Sequence, residues 1–168
     1  WKFDADANDS SGNSYNGTLT NGASIDTTSS TNKVGAGKVS LDGSNDYVAL
    51  ANESYYDITG PISVATWFKV DVFDDNEQAL VTKGNNAWRV QAAGDRRSVS
   101  FTLTGPLTTG TNKGRVPTVK TKRPVDDGQW HHLAGVYDGQ RVALFLDGEL
   151  EDTVPAAGPV AVNTEPAM

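Results

Sequence analysis

The sequence predicts an all-β chain folded as an antiparallel sandwich or jelly roll, and three observations predict it. Two Asp-Gly pairs, Asp138-Gly139 and Asp147-Gly148, separate alternating segments in the last third of the chain, the strongest short-range hairpin signal a sequence carries. Seventeen glycines stand among many Ser, Thr, Asn and Asp residues, a composition suited to short strands joined by tight turns. No segment has the 3.6-residue period of a long amphipathic helix, and no internal repeat is visible.

Along the chain, residues 4 to 32 are polar with scattered apolar positions, and their Asn and Gly chemistry reads as ordered loops. Val39, Leu41, Val48 and Leu50 flank the insert Asp42 to Asp46, a strand-turn-strand pattern. From Ile62 to Val70 apolar groups fall on both faces, which predicts a strand in the middle of a sheet. Ala79 to Thr82 and Trp88 to Ala92 read as two strands across the loop Lys83 to Asn86. Val99, Phe101 and Leu103 alternate strictly with Ser98, Ser100, Thr102 and Thr104, so one face is core and the other wet. Residues 105 to 124, with three prolines and Lys113, Arg115, Lys120, Lys122 and Arg123, read as a long basic loop. Trp130 to Tyr137, Val142 to Leu146 and Leu150 to Val154 then form a three-stranded meander around the two Asp-Gly turns.

Composition narrows the function. The 168 residues suffice for one domain with a sizeable core. Fourteen basic residues against 21 acidic ones leave a net charge of −7, a field that repels phosphate backbones and anionic headgroups, so nucleic acid is not an expected partner. Without cysteine there is no disulfide, thiolate metal site or cysteine nucleophile. No apolar run is long enough for membrane insertion as a helix. The chain opens at Trp1 without an apolar leader, as a piece of a larger protein would.

The segment Asp127-Gly128-Gln129-Trp130-His131-His132-Leu133-Ala134-Gly135-Val136-Tyr137-Asp138-Gly139, followed by Leu144 to Gly148, resembles the signature of laminin G-like, concanavalin A-like domains. Trp1 to Asp4, Asp9 to Asn13 with Asn16 and Gly17, Leu41 to Gly43 with Asp46 to Val48, Ser63 to Phe68 and Lys83 to Arg89 fit the same family in the same order. The resemblance implies a two-sheet antiparallel jelly roll that often carries one calcium ion. It implies a carbohydrate-binding or adhesion module of a bacterial secreted or cell-surface protein, extracellular and beside a neighbouring domain of the same parent chain. Such domains continue past a segment like Glu165 to Met168 into a further strand pair, so the jelly roll is expected to lack its final strands and leave one edge open.

Candidate site residues follow from these loops. Asp9, Asn13 and Asn16 offer oxygens over a tight turn, as a hard cation with roughly 6 to 8 oxygen ligands requires, and Asp42 heads a second oxygen cluster that the fold could bring near the first. The other reading of Asp9 and Asn13 is that they cap their own backbone in Asx turns. Trp88, Arg89 and Asn86, beside a polar loop, offer a ring to stack on a sugar and groups to bond its hydroxyls, against a core role for Trp88; Tyr56 is a further glycan contact. Trp67 and Trp130 read as core. His131 and His132, adjacent on a strand, point to opposite faces and cannot easily share a metal. No strand places two carboxylates on one face as glycoside hydrolysis requires, and Glu149, Glu151 and Asp152 read as exposed edge residues. A lyase built on His131, Tyr137 and Arg141 is imaginable but not singled out, and no nucleophile elbow or nucleotide fingerprint occurs. A non-catalytic glycan-binding module is therefore expected, with a protein-interaction jelly roll as the alternative.

Overall fold

The computed structural model describes residues 1–109 and 113–168. Two antiparallel sheets face each other as a jelly-roll sandwich, flanked by two small ribbons. The ribbons come from the N-terminal third: β1 (Gly17–Thr20) pairs with β4 (Tyr47–Leu50), and β2 (Ser24–Asp26) with β3 (Lys38–Ser40). The strand-turn-strand reading around Asp42 therefore finds its two strands in different ribbons. The five-stranded sheet has the order β5 (Ile62–Lys69), β11 (Trp130–Tyr137), β12 (Arg141–Leu146), β13 (Glu149–Ala157), β9 (Leu107–Thr108). The four-stranded sheet has the order β10 (Thr118–Lys120), β8 (Val99–Leu103), β7 (Trp88–Ala92), β6 (Ala79–Thr82).

The predicted meander is β11, β12 and β13, and its turns differ in kind. Asp147 and Gly148 both have positive φ, 53° and 86°, as a two-residue primed turn demands. The turn after Tyr137 spans three residues: Asp138 Oδ1 accepts the N–H groups of Gln140 and Arg141, each at 2.8 Å, and only Gly139 is left-handed. β5 is an edge strand, not a central one. Its outward positions Ser63, Ala65, Trp67 and Lys69 are exposed, and only Ile62, Val64, Thr66 and Phe68 face the core. The basic stretch 105 to 124 contains β9 and β10; its residues 110–112 lie outside the described ones. The β6 edge of the four-stranded sheet is met by the last residues, where Thr82 and Met168 exchange backbone hydrogen bonds of 2.8 and 2.9 Å and Lys83 bridges Ala167.

Inward residues of the two sheets make one core. Trp88, Val90 and Ala92 of β7 and Val99, Phe101 and Leu103 of β8 meet Leu133 and Tyr137 of β11 and Val142, Leu144 and Leu146 of β12. The sheets approach closely at Gly135, where a Cβ would stand only 2.5 to 2.9 Å from three carbons of the fully buried Phe101 ring. The ring belongs to one sheet and the glycine to the other, so this contact sets how closely the layers come together. Gly135→Val is accordingly expected to destabilise the fold by about 1–3 kcal/mol through overpacking, read as a drop in the chemical denaturation midpoint at unchanged slope. An unaltered midpoint would mean that the layers yield freely there.

Candidate functional site

The register of the four-stranded sheet builds a polar face opposite to its core face. Because side chains alternate, the inward set Val99, Phe101 and Leu103 sends Ser98, Ser100 and Thr102 outward, and the inward set Trp88 and Val90 sends Arg89 and Gln91 outward. Cross-strand pairing then sets Arg89 beside Thr102 and Thr118, and Gln91 beside Ser100 and Lys120. Small hydroxyl residues thus run along the central strand β8 while long side chains stand on both flanks, Arg89 and Gln91 on β7, Lys120 and Lys122 at β10. The result is a trough whose floor, Ser100 and Thr102, keeps only 5% and 6% of its surface. Thr102 Oγ1 donates to Thr118 Oγ1 at 3.1 Å, which ties floor to wall.

Arg89 donates from Nη1 to the carbonyl of Asn85, whereas its Nε is buried and has no hydrogen-bond partner among the described residues. A buried guanidinium donor left unpaired costs free energy until an acceptor arrives. At the other end the trough opens into a cleft of about 340 Å³ lined by Asp95, Arg97, Ser98, Lys120, Lys122 and Arg123. Asp95 is held there by the Ser98 hydroxyl, 2.7 Å from both of its oxygens, by the N–H groups of Arg97 and Ser98, and by Lys120 Nζ at 3.4 Å. These bonds, the Ser98 hydroxyl first, hold its carboxyl well below the usual carboxylate range.

The residues nominated from sequence for glycan binding do not share one surface. Trp88 is 4% exposed, faces the core opposite Leu103, and donates Nε1–H to the Tyr56 carbonyl at 3.1 Å. It is a core residue, because its position on β7 has the parity of Val90. Tyr56 is half-buried, its hydroxyl has no hydrogen-bond partner among the described residues, and it packs near Trp1 and Tyr15. Only Arg89 on the outer face and the exposed Asn86 in the preceding loop lie where a ligand could reach them. The tryptophan read as core, Trp67, is 40% exposed on the outer face of the other sheet, beside the His132 ring at 5.1 Å and under Lys33 Nζ at 4.8 Å. Trp130 is half-buried and donates Nε1–H to the Thr31 carbonyl. Gln91, Ser100, Thr102, Thr118, Lys120 and Lys122 were not nominated. The strict alternation from Ser98 to Thr104 is the signal that carries two of them, Ser100 and Thr102.

His131 and His132 do point to opposite faces. His131 lies between two carboxylates, Nδ1 to Asp147 at 2.8 Å and Nε2 to Asp127 at 3.2 Å, and Asp147 also accepts the His132 N–H at 2.9 Å. Glu151 is not an exposed edge residue: a β-bulge in β13 turns it inward, 6% exposed, to accept Arg123 Nε and Lys122 N–H, each at 2.7 Å.

Asp9, Asn13, Asn16 and Asp42 do not form a single coordination shell. The loop of Asp9 sits at the Gly17–Leu50 end of the β1–β4 ladder, and the Asp42 turn beyond its Thr20–Tyr47 end, so about 10 Å of strand separates them. A calcium ion reaches its oxygens at about 2.3–2.6 Å. Asp9 accepts the N–H and hydroxyl of Ser11 and the N–H of Tyr15, and Asp42 accepts the N–H of Ser44 and Asn45. Both carboxylates serve their own Asx turns, and Asp42 lies outside any shell built on the Asp9 loop. Among the described residues no three His, Cys, Asp or Glu side chains gather as a metal group.

The description of the concanavalin A-like lectin/glucanases superfamily, in its laminin G type, matches residues 42–168, and the chain belongs to that superfamily. Domain 4 of an extracellular arabinanase from Geobacillus stearothermophilus, solved in complex with arabinotriose, is similar at 17% identity over 98% of this chain and 77% of that one, with a TM-score of 0.64. The binding domain of botulinum neurotoxin serotype G is similar at 13% identity over 95% of this chain and 42% of that one, TM-score 0.54. Domains LG4-5 of the mouse laminin alpha1 chain share 14% identity over 67% of this chain and 28% of that one, TM-score 0.49. This chain thus spans less than half of the toxin and laminin chains it matches. No curated protein matches it significantly. Among the described residues no helix is long and apolar enough to cross a membrane.

Two outcomes follow from this geometry. Asp9→Ala is expected to lower the melting temperature equally in EDTA and in calcium, because it removes turn hydrogen bonds; a loss seen only in calcium would give the loop a cation. The carboxyls of Asp9, Asp127 and Asp147 are all depressed in the folded chain. For Asp9 the bonds from Ser11 lead, bringing it to about 2; for Asp127 the Gln129 N–H leads; for Asp147 burial opposes and the His131 and His132 bonds outweigh it. A depressed carboxyl stabilises above its unfolded pKa of about 4 and stops doing so as pH falls through its folded value. Melting temperature should therefore decline between about pH 4 and pH 2, and Asp147→Asn should shrink that decline.

Proposed function

We propose that this chain is a non-catalytic glycan-binding module of a secreted or cell-surface protein, and that its ligand lies in the trough over β7, β8 and β10. The observation that carries this reading is the arrangement of a hydroxyl floor between long polar walls, with the buried Arg89 Nε unpartnered. Saccharides present closely spaced hydroxyl oxygens, and Ser, Thr, Gln, Arg and Lys side chains supply matching donors and acceptors. A shallow, open trough of this kind gives weak binding suited to avidity alongside a neighbouring domain of the parent chain. That a protein with this fold is solved with arabinotriose supports a saccharide ligand. A binding role fits better than hydrolysis, which takes two free carboxylates across the sugar: Asp95 is held by its Ser98 and Lys120 bonds, and Glu151 by Arg123. The N-terminal loops are held by their own Asx turns in this reading.

A second reading, a protein-interaction jelly roll without a glycan ligand, is favoured by the opposite surface. There Trp67 is 40% and Leu150 55% exposed, and Ala65, Ala134, Phe145 and Leu150 form a continuous cross-strand row. Affinity electrophoresis over a panel of polysaccharides separates the two. Arg89→Ala with Gln91→Ala is expected to weaken retention tenfold or more, equivalent to about 1.4 kcal/mol, with Trp67→Ala unchanged. Loss on Trp67→Ala alone would move the site to the other sheet, and no retention on any polysaccharide would leave the second reading.

A further inference from the structure

The net charge of −7 conceals a segregation. Residues 89–123 hold eight of the 14 Lys and Arg residues and a single acid, Asp95, so this stretch carries +7; the other residues, with six basic and 20 acidic side chains, carry −14. The stretch includes β7, β8 and β10, the three strands that make the trough. Arg89, Arg97, Lys120, Lys122 and Arg123 of this stretch lie along the trough and its cleft, whereas Arg115 lies beside β9 of the other sheet.

From this we infer that the ligand of the trough is an anionic polysaccharide, bearing carboxylate or sulfate groups, an inference that rests on the glycan reading above. Carboxylates pair with three of the four cleft cations. Lys120 lies 3.4 Å from Asp95, Arg97 3.3 Å from Asp126, and Arg123 pairs with Glu151 at 2.7 Å and Glu149 at 3.5 Å. Arg89 and Lys122 have no carboxylate partner among the described residues. Arg89 stands on the β7 wall with its unpartnered Nε, and Lys122 is exposed on the opposite flank, bonding Glu151 only through its backbone N–H. A neutral sugar would satisfy the hydroxyls between them and leave both cations without a counterion. A chain that repeats an anionic group supplies charge-assisted hydrogen bonds to each wall while its hydroxyls meet Ser100 and Thr102. Arg97 and Lys120, 66% and 59% exposed, extend the positive rim into the cleft, so successive anionic groups of one polymer meet cations along its length. The acidic remainder of the surface repels the same polymer and confines it to this face.

Matched pairs of polymers test this on the whole chain: polygalacturonate against its fully methyl-esterified form, and dextran sulfate against dextran, by affinity electrophoresis and by titration at 50 and 200 mM NaCl. Retention of the charged member only is expected, weakening roughly tenfold or more across that salt range as counterion release requires. Arg89→Ala with Lys122→Ala should abolish the preference for the charged member while the chain still melts in one cooperative transition. Arg89→Lys with Lys122→Arg keeps the charge and should keep the preference. Equal retention of both members of each pair, or no salt dependence, overturns the anionic inference and leaves a neutral-glycan site. A single-stranded oligonucleotide bound more tightly than either charged polymer overturns it in favour of nucleic acid. Failure to retain any of the four polymers removes the glycan reading and this inference together.

Discussion

The contact of the Phe101 ring with Gly135 is the constraint on which the rest of the molecule turns. Two sheets pack face to face about 10 Å apart only if their inward side chains interdigitate. Here the largest inward group of β8 is admitted because β11 offers no side chain opposite it. Phe101 must point inward to make this contact, and the two-residue period of a strand then sends Ser100 and Thr102 outward. The core contact and the floor of the trough are opposite faces of one strand, so the register that closes the core also makes the polar surface. A slip of one residue in β8 would exchange the two.

A second tie holds the ends of the chain to this sandwich. Lys83, fully buried after β6, donates from Nζ to Glu53 Oε2 at 2.7 Å and to the carbonyls of Asn163 and Glu165 at 2.8 and 2.6 Å, with Asp57 at 3.3 Å. One ammonium so surrounded draws the short 3-10 turn Glu53–Tyr56 and the segment from Asn163 onward to the edge of the four-stranded sheet. Its stability comes from complete pairing, since a buried cation stripped of one partner is strongly unfavourable. Asn163 completes the arrangement by donating Nδ2–H back to the Lys83 carbonyl. His131, between Asp127 and Asp147, plays a smaller version of this role at the β11–β12 turn.

Charge segregation adds a layer that neither core nor register explains. A protein of net −7 would be read as indifferent or repulsive to polyanions if charge were spread evenly. Arg89, Arg97, Lys120, Lys122 and Arg123 instead stand on adjacent strands and loops of a single sheet. Fields near a surface depend on local charge within about a Debye length, roughly 8–10 Å, and not on the total. The cations Arg89 and Lys122, without a carboxylate partner among the described residues, and the total charge therefore act in opposite directions on a polyanion.

The sequence by itself determined the strands of the meander, β6, β7 and β8, because alternation and Asp-Gly turns are local properties that specify a hairpin wherever it lies. It determined membership of the superfamily through the same segments, and that His131 and His132 cannot face one metal. Only the tertiary structure decided which tryptophan is core, since Trp67 and Trp88 both stand among apolar neighbours and burial depends on which face meets the other sheet. It alone decided that β5 lies at an edge, that the Asp9 and Asp42 clusters stay apart at opposite ends of a ladder, and that Glu151 turns inward at a bulge. Each of these rests on contacts between residues far apart along the chain, which pattern and propensity do not encode. The trough is the mixed case: alternation marks its hydroxyls, but only strand order brings Arg89, Ser100, Thr102 and Lys120 side by side.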